Sequence, residues 1–322
     1  MKKLTFLLSI SIALTISSCD NGESEDTIYK QEMRSFVQKI SSYSKAKDSA
    51  FVVIPQNGQE LVTTDGNEDS DPNYDYIEAI DGVGREDLFY GYDDDNETTP
   101  RDEKDYMLSF LSICEQNGVE VLTTDYCWSH SKMDNSYLKN KEQGFISFAA
   151  PDRELNTIPH YPVQPYEVNN NDIHNLKEAK NFLYLLNPEK FNTKTDYINA
   201  LSQTNYDAFI IDLFFETEEL TQQDISMLKT KQSGGERLVI AYMSIGEAED
   251  YRFYWQKSWK VGNPDFIEKE NRRWKGNYKV KYWKDEWQAI ILGSEEAYLD
   301  KILAVGFDGV YLDIIDAFEY FE

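Results

Sequence analysis

The stretch Gly306-Phe-Asp-Gly-Val-Tyr-Leu-Asp-Ile-Ile-Asp-Ala-Phe-Glu-Tyr-Phe-Glu322 decides how the rest of the chain reads. Gly-Phe-Asp-Gly is turn chemistry, and 310–312 is a short apolar run of strand type, with Asp313 and Asp316 where the run ends. A carboxylate at the end of a buried strand is costly unless it is paired or put to use. Such a strand normally hands over to a loop and a helix, and here the sequence stops. Either the fold is truncated, or the continuation is carried elsewhere in the sequence.

Working outward, the same unit recurs. The helical pattern over 295–305 precedes the closing strand, and before it lies a long insert, 248–293, with Trp255, Trp259, Trp274, Trp283 and Trp287. Strands are expected over 238–245, 206–212 and 181–186, with a helix over 221–230. In the first half the spacing predicts helices over 29–47 and 105–116 and strands over 51–54, 76–80, 119–122 and 144–148. A Pro-rich loop to about residue 171 joins the halves. Eight apolar strands, mostly separated by helical patterns and without hairpin signals, point to parallel pairing through right-handed crossovers. The arithmetic is that of an α/β (β/α)8 TIM barrel, whose strand ends converge on one face. In chain order those ends are Asn57, Glu86, Asp125, Asp152, Asn187, Asp212, Glu247 and Asp313, and six of the eight are acidic.

Composition sets the surroundings. With 322 residues, 41% apolar and 14% aromatic, the chain can bury a sizeable core. Met1-Lys2-Lys3 followed by an apolar run over 4–16 has the form of a secretory signal, and Ile16-Ser17-Ser18-Cys19 reads as a lipoprotein cleavage box that would make Cys19 the lipidated first residue. The alternative is an uncleaved signal anchor, for which the run is short. Loss of 1–18 takes Lys2 and Lys3 and moves the formal charge from −26 to −28. That charge repels nucleic acid and anionic lipid and suits a polycation, or simply keeps an exported protein soluble. The acidic stretch 19–28 reads as a tether. Cys114 and Cys127 make no disulfide framework. His130, His160 and His174 fall in expected loops without the paired spacing of a metal site. No metal or other cofactor is expected, and oligomeric state is not legible.

Three segments, Ile240-Ala-Tyr-Met-Ser-Ile-Gly-Glu-Ala-Glu-Asp-Tyr-Arg252, Trp274-Lys-Gly-Asn-Tyr-Lys-Val-Lys-Tyr-Trp283 and the closing stretch to Tyr320, together resemble glycoside hydrolase family 114. The resemblance implies a (β/α)8 barrel with endo-α-1,4-polygalactosaminidase-like activity. In that family the Tyr-Leu-Asp strand is followed by a helix and strand similar to Phe36 through Gly58, which here lie near the other end of the chain. The implied arrangement is a circular permutant, in which 29–152 supply the family's strands five to eight and 181–322 its strands one to four, within one barrel domain over 29–322. A ring of repeating units tolerates new termini at a surface loop. The competing reading is a truncated barrel behind an unrelated N-terminal domain.

Glycosidic cleavage requires one carboxylate at the anomeric carbon and a second carboxyl group to protonate the leaving oxygen. The resemblance assigns the nucleophile to Asp313 and the acid/base to Glu86, and a retaining mechanism is expected. Asp316 reads equally as a loop cap or a substrate contact. Glu247 and Asp212 are expected either to pair with Arg252 or Arg85 or to hold the amines of a cationic sugar. Asn57, Arg85, Tyr242, Asp125 and Asp152 complete the expected substrate-binding set, with at least one of the last two reading as structural. Trp283 and Tyr282 sit in a family motif and are expected to stack on sugar rings, while the insert's tryptophans read equally as glue for a long loop. The expected partner is a polysaccharide, with the membrane reached through the lipid on Cys19. A sugar-binding lipoprotein without turnover, and a glycosidase of other linkage, are the alternatives.

Overall fold

The computed structural model describes residues 25–322, so the signal segment and Cys19 lie outside the described residues. Helix α1 (Glu25–Lys47) starts four residues earlier than its spacing predicts and buries Met33, Phe36, Val37 and Ile40 completely. Eight parallel strands follow: β1 (Val52–Pro55), β2 (Gly82–Glu86), β3 (Glu120–Tyr126), β4 (Ile146–Ala150), β5 (Phe182–Leu185), β6 (Ala208–Ile211), β7 (Leu238–Ser244) and β8 (Gly309–Asp313). They are buried along nearly all their length, as near-continuous apolar runs covered on both faces should be.

Five of them form a parallel sheet in the order β1-β8-β7-β6-β5, and three form another in the order β2-β3-β4. Within the first, β1 lies directly beside β8, with Val53 opposite Val310 and Ile54 opposite Tyr311. Two single parallel bridges, Gln56 to Gly84 and Ser147 to Asn181, run between the two sheets. The connecting helices are α2 (Arg101–Gln116), α3 (His130–Gln143), α4 (Lys194–Ser202), α5 (Gln222–Leu228), α6 (Asp285–Ile291) and α7 (Tyr298–Val305). Thr221 opens α5 with a reciprocal cap, its side chain accepting from the Asp224 amide while Asp224 accepts from the Thr221 amide.

One expected strand is misplaced. Residues 74–77 form a helical turn started by the Asn73 side chain, which accepts from the Tyr76 amide, and the strand lies at 82–86 instead. Its Gly-Val-Gly-Arg-Glu composition carries little strand propensity of its own. The core dictates it: a Cβ on Gly84 would stand 2.0 Å from the Tyr311 hydroxyl, so only glycine lets β2 approach β8's side chains. His130, expected in a loop, begins α3.

The tryptophan-rich insert is a structure of its own. Glu247–Glu249, Asn277–Val280 and Ile267–Glu270 make a small antiparallel sheet, and α6 follows. Trp287 is fully buried there, with its indole N–H donating to the Ile245 carbonyl at 2.8 Å. A side chain of that size removed from water contributes about 2–3 kcal/mol. Elsewhere, Lys231 and Asp207 form a completely buried ion pair at 2.6 Å, and the Lys231 ammonium also donates to the Asn171 carbonyl at 2.8 Å, fastening the Pro-rich connection to β6.

Candidate active site

The carboxyl ends of the strands open into a cleft of about 580 Å³. Asp313 closes β8 and enters it. Its Oδ2 accepts from the Tyr242 hydroxyl at 2.6 Å, and its Oδ1 accepts from the Ile314 amide at 2.8 Å. Ile314, also on the cleft wall, has φ 58°, a left-handed conformation that a β-branched residue adopts only under strain. Packing holds it there: its carbonyl lies so close to Gly246 that a Cβ on that residue would meet it at 2.2 Å. Burial, reinforced by repulsion from Glu86, pushes the Asp313 carboxyl up to about 8.

Glu86 ends β2 and faces the same cleft. Its Oε1 accepts from the Tyr126 hydroxyl, and its Oε2 accepts from the Asn57 amide at 3.1 Å. Asn57 in turn accepts from the Glu86 backbone N–H at 3.3 Å, and its own φ of 61° is one that asparagine tolerates better than most residues. Each carboxylate therefore carries a phenol donor on one oxygen and an amide donor on the other. Rotation is restricted in both, which fixes their directions before any ligand arrives.

Around this pair stand six more carboxylates. Asp316 lines the cleft and is pushed up to about 7 by burial and by Glu319. Asp212 pairs with Arg252 at 2.6 Å, and Arg252 is shared with Glu249, whose other oxygen accepts from Tyr251 at 2.5 Å. Burial still raises Asp212 despite that arginine. Glu247 is fully buried and raised by burial. Its partners are the Asn271 amide at 2.9 Å, the Tyr320 hydroxyl at 3.3 Å and the Asn277 amide at 3.4 Å, not Arg252 or Arg85. Glu154 and Glu216 line the rim. Of the basic groups in the wall, Arg252 is neutralised as described and Arg153 is held by Asp87 at 2.8 Å and Asp95 at 2.7 Å. The balance is negative, and it suits a cationic or hydroxyl-rich ligand. Among the described residues no cluster of histidine, cysteine and carboxylate side chains is arranged to hold a metal ion.

Asn57, Glu86, Asp212, Tyr242, Glu247, Asp313 and Asp316 thus meet in one cleft; five expected residues do not. Asp125 is completely buried beneath the strand ends, accepting from the Phe89 amide at 2.8 Å, the Ser136 hydroxyl at 2.6 Å and the Asn140 amide at 3.1 Å, so it is a structural anchor. Tyr282 is fully buried and donates to the Tyr29 carbonyl at 2.8 Å. Trp283 packs between Tyr29 and Phe321, with ring centres 5.1 and 4.8 Å away, where it seals α1 against the chain's last residues rather than facing the cleft. Arg85 belongs to an adjoining polar cavity of about 390 Å³, where it donates to Gln59 at 2.7 Å. Asp152 lies in a separate side cavity near Lys190.

Tyr126, Arg153, Glu249, Tyr251 and Trp274 line the cleft and escape a reading by strand ends. The period of a strand explains Tyr126: Asp125 and Tyr126 point to opposite faces, and an acid-seeking rule selects the wrong neighbour. Trp274, 54% exposed at the tip of the insert's hairpin, is the tryptophan that the insert offers to the cleft, and its signal was its place in the same quoted segment as Trp283.

Comparison with known proteins places residues 164–322, just under half of the chain, as a match to Glycoside-hydrolase family GH114. The match supports that family and, with it, a glycoside hydrolase. Three uncharacterized proteins are similar over a shorter stretch. That of Methanocaldococcus jannaschii is 44% identical over 124 residues, which are 38% of this chain and 34% of the relative. That of Thermotoga maritima is 39% identical over 120 residues (37% and 36%), and that of Deinococcus radiodurans 42% over 122 residues (38% and 37%). The matched stretch spans about a third of the length of these relatives.

Proposed function

We propose, from the match of 164–322 to a glycoside hydrolase family, that the cleft hydrolyses an α-linked, galactosamine-containing polysaccharide with Asp313 as nucleophile and Glu86 as acid/base. The observation that carries this is the pair itself: two carboxyl groups on different strands, each held by a tyrosine and an amide, in one negatively charged cleft.

In this reaction the glycosidic oxygen takes a proton from the Glu86 carboxyl as the bond to the anomeric carbon breaks, and the Asp313 carboxylate bonds to that carbon. Glu86, now ionised, removes a proton from water, which attacks the same carbon and releases Asp313; the configuration is retained. Such a cycle needs one proton shared by two carboxyl groups at working pH. Mutual repulsion between Glu86 and Asp313 supplies that condition. Arrival of a protonated amino sugar lowers the cost of charge on Asp313. The acidic wall around Asp212, Glu247 and Glu249 supports the choice of a cationic sugar.

Since burial and repulsion from Glu86 push the Asp313 carboxyl up to about 8, exchanged roles form a second reading. An aryl glycoside with a good leaving group separates them. It needs no protonation, so it restores the first step, seen as a burst of released aryl alcohol, to Glu86→Gln but not to Asp313→Asn, and an added anionic nucleophile such as azide, which needs no base, then turns the variant over; the reverse result exchanges the roles. The anomer released first, read by proton NMR, tests retention.

The same reading takes 29–322 as one permuted (β/α)8 barrel, supported by the pairing of β1 with β8 and by the bridges between the two sheets. It also takes the protein as an exported lipoprotein held by Cys19; no helix among the described residues is long and apolar enough to cross a membrane. Labelling with a fatty-acid analogue, lost in Cys19→Ala, tests the anchor.

A further inference from the structure

Three strand-end loops that build the cleft each send residues to a second cavity beside it. At the end of β3, Tyr126 faces the cleft and, two residues on, Trp128 the side cavity. After β4, Arg153 and Leu155 line the cleft, while Pro151 and Asp152 line the side cavity. After β5, Pro188 belongs to the cleft and Lys190 to its neighbour. The same three loops therefore line both hollows.

The side cavity, about 290 Å³, has the surfaces a sugar ring uses. Trp128 is 55% exposed, which is unusual for so large an apolar side chain. Its backbone is held, because the Asn96 side chain accepts from the Trp128 amide at 3.1 Å and the Ser129 amide at 3.0 Å. With the backbone already held, stacking on a sugar orders only the two side-chain torsions of the tryptophan. In the same lining, His130 and Tyr161 stack with ring centres 3.8 Å apart and planes within 6°. The Tyr161 hydroxyl is tied to Asp134 at 2.6 Å. Asp152 supplies the polar group. One of its oxygens accepts from the Glu154 amide at 3.1 Å, and the other lies 3.8 Å from the Lys190 ammonium, an exposed and weak pairing that a sugar amine or hydroxyl can replace.

The geometry points to a second glycan site, in which Trp128 stacks on, and Asp152 hydrogen-bonds to, amino-sugar units of the same chain whose cleavage point lies between Asp313 and Glu86. This inference rests on the function proposed above, and it deepens that reading by giving the enzyme a preference for long polymer over short fragments.

The test compares wild type, Trp128→Ala, Trp128→Phe and Asp152→Asn by electrophoresis in gels containing soluble α-1,4-linked galactosamine polymer. KM is measured alongside on that polymer and on a short aryl glycoside that fills only the cleft. Replacing tryptophan leaves the net charge unchanged, so diffuse attraction to a cationic polymer is equal in those proteins. The expected result is about a fivefold loss of retardation and a similar rise in polymer KM for Trp128→Ala, retention of most binding by Trp128→Phe, and an unchanged KM on the short glycoside. Equal retardation of wild type and Trp128→Ala overturns the site. A loss that is the same on short and long substrates also overturns it, by showing general damage. If wild type cleaves neither substrate yet is retarded through Trp128, the hydrolase reading falls and the glycan site stands; if it is not retarded at all, the site falls whatever the hydrolysis result.

Discussion

The Tyr242 hydroxyl donates to Oδ2 of Asp313 at 2.6 Å, across the pairing of β7 with β8, on a carboxyl group that burial pushes up to about 8. That hydrogen bond opposes the effect of burial, because a phenol donor favours the charged carboxylate. Tyr242→Phe should therefore raise the Asp313 pKa further. With Asp313 as nucleophile, the acid limb of kcat/KM moves to higher pH, and the rate at neutral pH falls roughly tenfold to a hundredfold. A variant profile that overlays wild type removes Tyr242 from the site's electrostatics.

Repulsion makes the complementary case. Asp316 contributes to the raised pKa of Asp313, so Asp316→Asn should shift the same acid limb to lower pH. The shift is opposite in sign to that of Tyr242→Phe, which separates an electrostatic effect from a loss of packing. The check is a pair of pH profiles at fixed ionic strength.

Stability should follow the same groups. Asp313 at about 8 and Asp316 at about 7 both bind protons in the folded protein that the unfolded chain, near 3.8, has released. Between about pH 4 and 8 the folded state holds more protons, so stability declines as pH rises through that window. Asp313→Asn abolishes its share of the slope and gives a protein more resistant to urea at pH 8 than wild type. Urea midpoints measured from pH 5 to 8 for the two proteins provide the comparison.

Lys231→Met leaves Asp207 charged and fully buried without its cation. Breaking one side of such a pair costs about 3–5 kcal/mol. The urea midpoint should fall accordingly, and Asp207→Asn added to Lys231→Met should recover part of the loss.

The two tryptophans of one sequence segment should part company. Trp274→Ala, at the mouth of the cleft, is expected to raise KM for the polymer about three- to tenfold. Trp283→Ala removes the packing of Trp283 against Tyr29 and Phe321, so it should lower the melting temperature instead.

These contrasts also show what was legible from residues alone. The parallel strands were readable because their runs are continuous and apolar, and the acids at their ends followed from chain direction. Asp313, Glu86, Asp212 and Glu247 were found that way. Strand β2 was missed because Gly82 and Gly84 are there for the space left by Leu176 and Tyr311, a demand that exists only once the core is assembled. Asp125 was chosen over Tyr126 because acidity was followed and the alternation of faces was not. Trp283 was chosen over Trp274 because motif membership says nothing about which aromatic faces solvent. Side-chain direction, a tertiary property, is the common element in these misses.

The central claim is that Asp313 and Glu86 together perform hydrolysis. Product analysis on deacetylated and acetylated galactosamine-containing polymer, with wild type, Asp313→Asn and Glu86→Gln at equal folded concentration, tests it most directly. The account predicts oligosaccharide release by wild type and a loss of at least about a hundredfold in each variant. Cleavage by either variant at close to the wild-type rate would contradict it.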